Sequence, residues 1–179
     1  MHEVETKVLN VDLEQVSKPL NAEGAKKIAD AKYSIDWYRP VGQKEGEEAW
    51  YLRIRSSSAS RPEVTWKGKA DTLGVSRKVE EINFFIDDAE KLASLFEKLG
   101  LEKYAHQEKF RTSWALQGWR FDLDQYPKMP AYLEIEGIDE NHIQEAIRML
   151  GLQNHKTNSS GERILIQTEY RLDWYDMRF

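Results

Sequence analysis

Residues 3–7 read Glu-Val-Glu-Thr-Lys and residues 132–136 read Tyr-Leu-Glu-Ile-Glu. In an extended chain successive side chains point to opposite faces, so Glu3, Glu5 and Lys7 share one face while Val4, Thr6 and Val8 share the other. Glu134 and Glu136 are divided in the same way from Leu133 and Ile135. Between these two segments the pattern recurs. Arg53 and Arg55 alternate with Leu52 and Ile54, Lys67 and Lys69 flank the phase of Trp66, Lys109 and Arg111 enclose Phe110, and Arg120, Asp122 and Asp124 alternate with Phe121 and Leu123. This period of two predicts strands over 2–11, 26–39, 48–57, 62–70, 75–86, 103–116, 118–125 and 131–137. Turn residues at 45–47, 71–74 and 117–118 make most neighbours antiparallel.

Helical signals interrupt the strands. Asp87 with Glu90 in capping-box register precedes a stripe of Leu92, Leu95, Phe96 and Leu99 that stops at Gly100. Asp139 opens a second helix, with Ile138 and Ile143 placed as a hydrophobic staple, that ends at Gly151. A helix from Asp12 is expected to end or kink at Pro19. Ser159 and Glu162 form a further capping-box pattern before a C-terminal helix over 164–175, and the polar stretch 153–161 reads as a mobile loop.

The bulk composition narrows the function classes. The chain has 179 residues, 40% hydrophobic and 11% aromatic, enough for one domain spanning 1–179. A formal net charge of −5 lacks the basic balance of nucleic-acid binders. No apolar run is long enough to span a membrane and no leader pattern is visible, so the expected address is cytoplasmic. The absence of cysteine excludes disulfides, thiolate metal sites and a cysteine nucleophile. His2, His106, His142 and His155 lack ligand spacing and read as surface or core residues, and tryptophans on the apolar phase of the strands read as core.

For a single strand, a wet ionic face is the simplest outcome. Repetition changes this, because cation pairs sit on some strands and carboxylate pairs on others. If the sheet closes, these faces converge on a bore holding roughly nine basic and seven acidic groups, with Lys78 and Glu80 counted inward. A polyanion would neutralise the cations, and triphosphate suits arginine forks and lysine point charges. Carboxylates at i and i+2, about 7 Å apart along a strand, suit Mg2+ or Mn2+, hard cations that take oxygen ligands.

These residues resemble the CYTH superfamily, the triphosphate tunnel metalloenzymes, which includes class IV adenylate cyclases, thiamine triphosphatases and inorganic triphosphatases. The resemblance rests on E-x-E-x-K at Glu3, Glu5 and Lys7, and on the order in which the later segments follow it. These are Leu52-Arg53-Ile54-Arg55, Thr65-Trp66-Lys67-Gly68-Lys69, residues 77–81, Lys109-Phe110-Arg111, Phe121-Asp122-Leu123-Asp124 and Leu133-Glu134-Ile135-Glu136-Gly137. It implies a mostly β, α+β fold: an eight-stranded antiparallel closed β-barrel tunnel with helices packed outside. It further implies that Glu3, Glu5, Glu134, Glu136 and Asp124 hold Mg2+ or Mn2+. Lys7, Arg53, Arg55, Lys67, Lys109 and Arg111 would hold phosphate, with Lys7 orienting an attacking water beside Glu5. By alternation Lys69, Lys78 and Arg120 join the phosphate ligands and Asp122 the metal ligands.

Three features depart from the family pattern. The fifth strand reads Arg77-Lys78-Val79-Glu80-Glu81 where the family alternates R-x-E-x-E, so which of Arg77 or Lys78, and of Glu80 or Glu81, faces inward stays open. The His-Phe element of some bacterial cyclases has no counterpart before Glu3, and the family's C-terminal S-Y-x-x-L-L element is absent in that form. The resulting expectation is a divalent-metal-dependent triphosphatase, monomeric or homodimeric, acting on a small-molecule triphosphate and on neither nucleic acid nor membrane. The alternatives are a class IV-type adenylate cyclase and a non-catalytic polyphosphate- or nucleotide-binding barrel.

Overall fold

The computed structural model describes residues 2–69, 71–73 and 76–179, and the side chains of all of these except 2, 3, 71–73 and 76–78. The chain runs β1 (His2–Leu9), α1 (Leu13–Ala22), β2 (Lys26–Pro40), β3 (Tyr51–Ser57), β4 (Glu63–Lys67), β5 (Asp71–Leu73), β6 (Ser76–Phe85), α2 (Ala89–Lys98), β7 (Leu101–Leu116), β8 (Trp119–Gln125) and β9 (Tyr132–Gly137). It ends with α3 (Glu140–Met149), β10 (Thr157–Asn158), α4 (Glu162–Glu169) and β11 (Asp176–Met177). The eight predicted strands are all present. Among the described residues no helix is long and apolar enough to cross a membrane.

One mostly antiparallel sheet contains all the strands, in the order β10-β1-β9-β8-β7-β2-β3-β4-β6-β5, with β11 parallel beside β7. The sheet curls until β6 meets β1 over four residue pairs, but the wall of the closed eight-stranded barrel expected from the sequence is left incomplete. The edge of β1 away from β9 is divided: His2 to Glu5 pair with Glu80 to Arg77 of β6, whereas Lys7 and Val8 pair with Asn158 and Thr157 of β10. A strand has one hydrogen-bonding edge per side, so β10 takes the half that β6 would need for a continuous wall. β10 also lies inside the stretch expected to be a mobile loop.

Three of the helices follow their capping signals. The carboxylates of Asp12, Asp88 and Asp139 accept the backbone N–H of Gln15, Lys91 and His142 at 2.7, 3.0 and 2.8 Å, one residue later than expected for α2. α1 continues through Pro19 to Ala22, and Glu23 N donates to Pro19 O at 3.0 Å. Burial of Val16 and Leu20 outweighs the one backbone bond that proline removes. The capping box at Ser159 does not form. Gly161 is the N-cap of α4 with no side-chain bond, and the helix stops at Glu169.

The apolar and ionic phases separate across the sheet. On the convex face Val4, Val8, Phe121, Leu123, Leu133 and Ile135 pack against Val16 and Leu20 of α1 and Ile143 and Ile147 of α3. α2 covers Tyr38, Ile54 and Val64 with Phe96. α4 departs from the expectation that all helices lie outside. Leu165 and Ile166 are fully buried against Leu9, Ile35, Tyr126 and Tyr132, together with Trp174 and Met177. Leu9 and Tyr132 continue the phase of Lys7 and Glu134, so α4 and the C-terminal segment fill one end of the concave face.

Candidate active site

The remaining concave face surrounds a hollow of about 620 Å3 lined by residues of β2, β3, β4, β6, β7, β8, β9 and the start of α4. Strand register decides which charges meet there. Glu5 lies directly opposite Glu136, and Lys7 opposite Glu134. Directly opposed like charges destabilise a sheet unless a cation is shared between them. Glu5, Glu134 and Glu136 each present a carboxylate oxygen, all within 4.8 Å of one another. These hard oxygen donors, one buried and two partly buried, fit a divalent cation such as Mg2+ or Mn2+. Lys7 Nζ, only 1% exposed, lies 3.3 Å from Glu5 Oε1 and 2.9 Å from Glu134 Oε2, so it fixes two of the three carboxylates.

Asp122 and Asp124 have a different neighbourhood from that expected of metal ligands. Asp124 is fully buried and accepts from Arg111 Nε at 2.6 Å, Arg111 Nη2 at 2.5 Å and Lys109 Nζ at 2.8 Å. Arg111 Nη1 donates to Asp122 at 2.5 Å, and Arg120 Nε reaches the same carboxylate at 3.1 Å. Their oxygens are engaged by cations, which locks the Arg111 guanidinium in one orientation.

Opposed effects set the ionisation of this group. Burial would raise the Asp124 carboxyl, but Arg111 and Lys109 outweigh it and hold the group below the ordinary range. Burial likewise opposes ionisation of Glu134, which Lys7, Arg111 and Lys109 nevertheless hold well below the ordinary value. Lys109 is pushed down by burial and by Arg111, against the pull of Asp124 and Glu162.

The other predicted residues come to the same hollow. Arg55 bonds Glu63 at 2.9 Å and is lowered by burial and by the nearby charges of Arg53 and Arg111. Lys67 meets Glu81 at 2.5 Å, Arg53 lies 4.0 Å from Glu81 and over the Trp37 ring, and Lys69 and Arg120 sit toward the rim. The side chains of Glu3 and Lys78 lie outside the described residues. Glu80, counted inward on sequence grounds, is exposed; Glu81 lines the hollow instead, because it pairs with Lys67 of β4.

The expected surplus of cations is therefore offset within the protein. Lys7, Arg53, Arg55, Lys67, Lys109, Arg111 and Arg120 each have a carboxylate within 4.0 Å. Three acidic residues of the site, Glu63, Glu162 and Glu48, escaped the sequence reading. Glu63 was legible, since it shares the alternation of Thr65 and Lys67. Glu162 comes from α4, with one oxygen 3.4 Å from Lys109 Nζ, and Glu48 anchors the β2–β3 loop to Arg163 at 2.6 Å. Neither pairing has a local sequence signal, because each joins segments distant in the chain.

The family model described as CYTH domain matches residues 1–164. The chain belongs to the CYTH family. This CYTH chain is 30% identical over 137 residues, 76% of its length and 77% of the relative's, to a Methanocaldococcus jannaschii protein provisionally named an adenylate cyclase. Among solved structures it resembles the PH1819 protein of Pyrococcus horikoshii, with a TM-score of 0.73 and 20% identity over 93% of this chain and 99% of that one. It also resembles a Hippeastrum protein described as a provisional adenylyl cyclase with a dominant triphosphatase activity, with a TM-score of 0.69 and 12% identity over 93% and 96% of the two chains. At these identities the structural likenesses establish the fold alone.

Proposed function

We propose that this CYTH protein is a divalent-metal-dependent triphosphatase that binds a small-molecule triphosphate in the hollow and hydrolyses a phosphoanhydride bond. One observation carries the reading: Glu134 and Glu136, clustered with Glu5, line the same hollow as buried Lys109 and Arg111 and as Arg53, Arg55 and Lys67. A Mg2+ or Mn2+ ion held by the three glutamates would supply charge neutralisation and polarise a phosphoryl oxygen. The arginines and lysines bind the phosphate oxygens. Arg111, already fixed by Asp122 and Asp124, needs no reorganisation as charge develops on the leaving oxygens. Lys7 acts through Glu5 and Glu134, whose positions it fixes, to orient the attacking water. The water oxygen forms a bond to the terminal phosphorus as the bridging bond breaks, and the electron pair leaves on the departing phosphate.

A second reading has support in the name of the Methanocaldococcus jannaschii relative. There a ribose hydroxyl of ATP replaces water, attacks the α-phosphorus and expels pyrophosphate. Release of phosphate, pyrophosphate and cyclic AMP should be measured from inorganic triphosphate, thiamine triphosphate and ATP, with magnesium and with manganese. Phosphate release is expected, and cyclic AMP with pyrophosphate would favour the cyclase. Glu136→Gln should lower turnover at least about a hundredfold. Wild-type turnover in that variant would refute the carboxylate cradle.

A further inference from the structure

The helices do not cover the whole convex face. α1 and α3 pack on β1, β8 and β9, and α2 lies over β2, β3 and β4 through Phe96. On β6, Ile82 and Phe84 lie opposite Trp66 and Val64, in the phase that faces away from the hollow, and are 53% and 59% exposed. α2 runs from the end of β6 to the start of β7 with Phe96 turned to the sheet. By its right-handed turn, Leu95 and Leu99 then fall on the flank facing β4 and β6, and they are 49% and 67% exposed. Four large apolar side chains and the partly buried Trp66 thus border one angle between helix and sheet.

A fully exposed side chain of this size offers about 200 Å2, so the four together expose roughly 450 Å2 of apolar surface. That is the scale at which a contiguous apolar patch marks an interaction surface. A standard-sized interface takes about 800 Å2 from each partner, and in homodimers about 65% of it is apolar, roughly 520 Å2. With Trp66 the patch supplies nearly all of that. Charge indicates the occupant. Exposed Lys91 and Lys98 stand one turn to either side of Leu95 along α2, while exposed Glu80 continues the phase of Ile82 and Phe84 along β6. One edge of the patch is therefore cationic and the other anionic. Across a two-fold axis residue i of one copy meets residue j of the other, so the lysines of each copy face Glu80 of its partner. A partner of single charge sign would meet repulsion at one edge.

We infer that two copies of this chain associate about a two-fold axis through this face, with Ile82 and Phe84 of each packed against Leu95 and Leu99 of the other. The contact lies on the outer side of β6, opposite the side that carries Glu81 into the hollow, so it stands whatever chemistry takes place inside. It selects the homodimer from the two states that the sequence allows.

The test is sedimentation equilibrium of the full chain from about 1 to 300 μM, where an interface of this area should yield a dimer with a micromolar or lower dissociation constant. Phe84→Glu and Leu95→Glu should each weaken association at least about a hundredfold, because every dimer carries the substitution twice. Both positions are exposed in a single copy, so circular dichroism should show the fold retained. Leu13→Glu, at an exposed leucine at the start of α1, should leave association within about twofold. Glu80→Lys and Lys98→Glu should each weaken the dimer, and the double variant should recover most of the loss. A wild type that stays monomeric throughout, a dimer that survives both Phe84→Glu and Leu95→Glu, or a double charge variant no better than the single ones overturns the inference.

Discussion

Asp124→Asn separates a structural carboxylate from a metal ligand. The substitution keeps the size and planarity of the side chain and removes a charge that is fully buried against Arg111 at 2.5 and 2.6 Å and Lys109 at 2.8 Å. Breaking a buried ion pair by removing one partner costs about 3–5 kcal/mol, since the remaining charges stay desolvated. Here Asp122 still holds Arg111, and Glu162 still faces Lys109 at 3.4 Å, so the lower end of that range applies, about 3 kcal/mol. For a domain of this size that loss lowers the melting temperature by roughly 6–12 °C. Urea unfolding should show a reduced midpoint at unchanged slope. Magnesium affinity, measured by calorimetry on the folded variant, should stay close to wild type because Glu5, Glu134 and Glu136 are intact. A stability loss below about 1 kcal/mol, or a magnesium affinity reduced more than tenfold, would refute this assignment.

Two other outcomes test separate parts of the structure. Asp124, Glu134, Glu162 and Glu81 are all held below their ordinary ionisation range: burial opposes this in each, but Arg111 and Lys109, Lys7, Lys109, and Lys67 respectively prevail. A depressed folded-state value stabilises above the unfolded carboxylate value, about pH 4, and the benefit is lost as pH falls toward the folded values. The urea midpoint should therefore drop between pH 5 and pH 3, less steeply in Asp124→Asn, and a flat profile would contradict the ion pairs. Gly137→Ala would place a methyl 2.9 Å from His142 Nδ1 and 3.2 Å from Ile143 Cδ1, between β9 and an imidazole stacked 4.2 Å from Trp119. A cost of about 1–3 kcal/mol is expected by thermal melting, and an unchanged melting temperature would show that α3 has room to shift.

Much of the sheet was legible because each strand declares its two faces locally. Glu5 and Lys7, or Arg53 and Arg55, can be assigned to one side without knowing what lies opposite. Closure was not legible, since it depends on which strand captures the outer edge of β1, and β10 is two polar residues, Thr157 and Asn158, in a stretch with turn-like composition. The position of α4 escaped for a related reason. Leu9, Tyr126 and Tyr132 are in phase with charged residues, yet they make an apolar end wall, and phase alone does not reveal the change from ionic to apolar along a strand. The surroundings of Asp122 and Asp124 differ from those of Glu134 through neighbours supplied by β7. Arg111 approaches the aspartates most closely, at 2.5 Å, and stands 3.5 Å from Glu134.

The divided edge of β1 also bears on how the chain is made. β1 finds its partners in β6, β9 and β10, so Glu5 and Lys7 gain their native surroundings only after Arg77, Glu136 and finally Asn158 have been synthesised. At about 5–20 residues per second, a ribosome leaves that segment waiting for about 8–30 seconds. Chain topology of this kind slows spontaneous folding, and a nascent strand with both edges unpaired is where a chaperone would be needed.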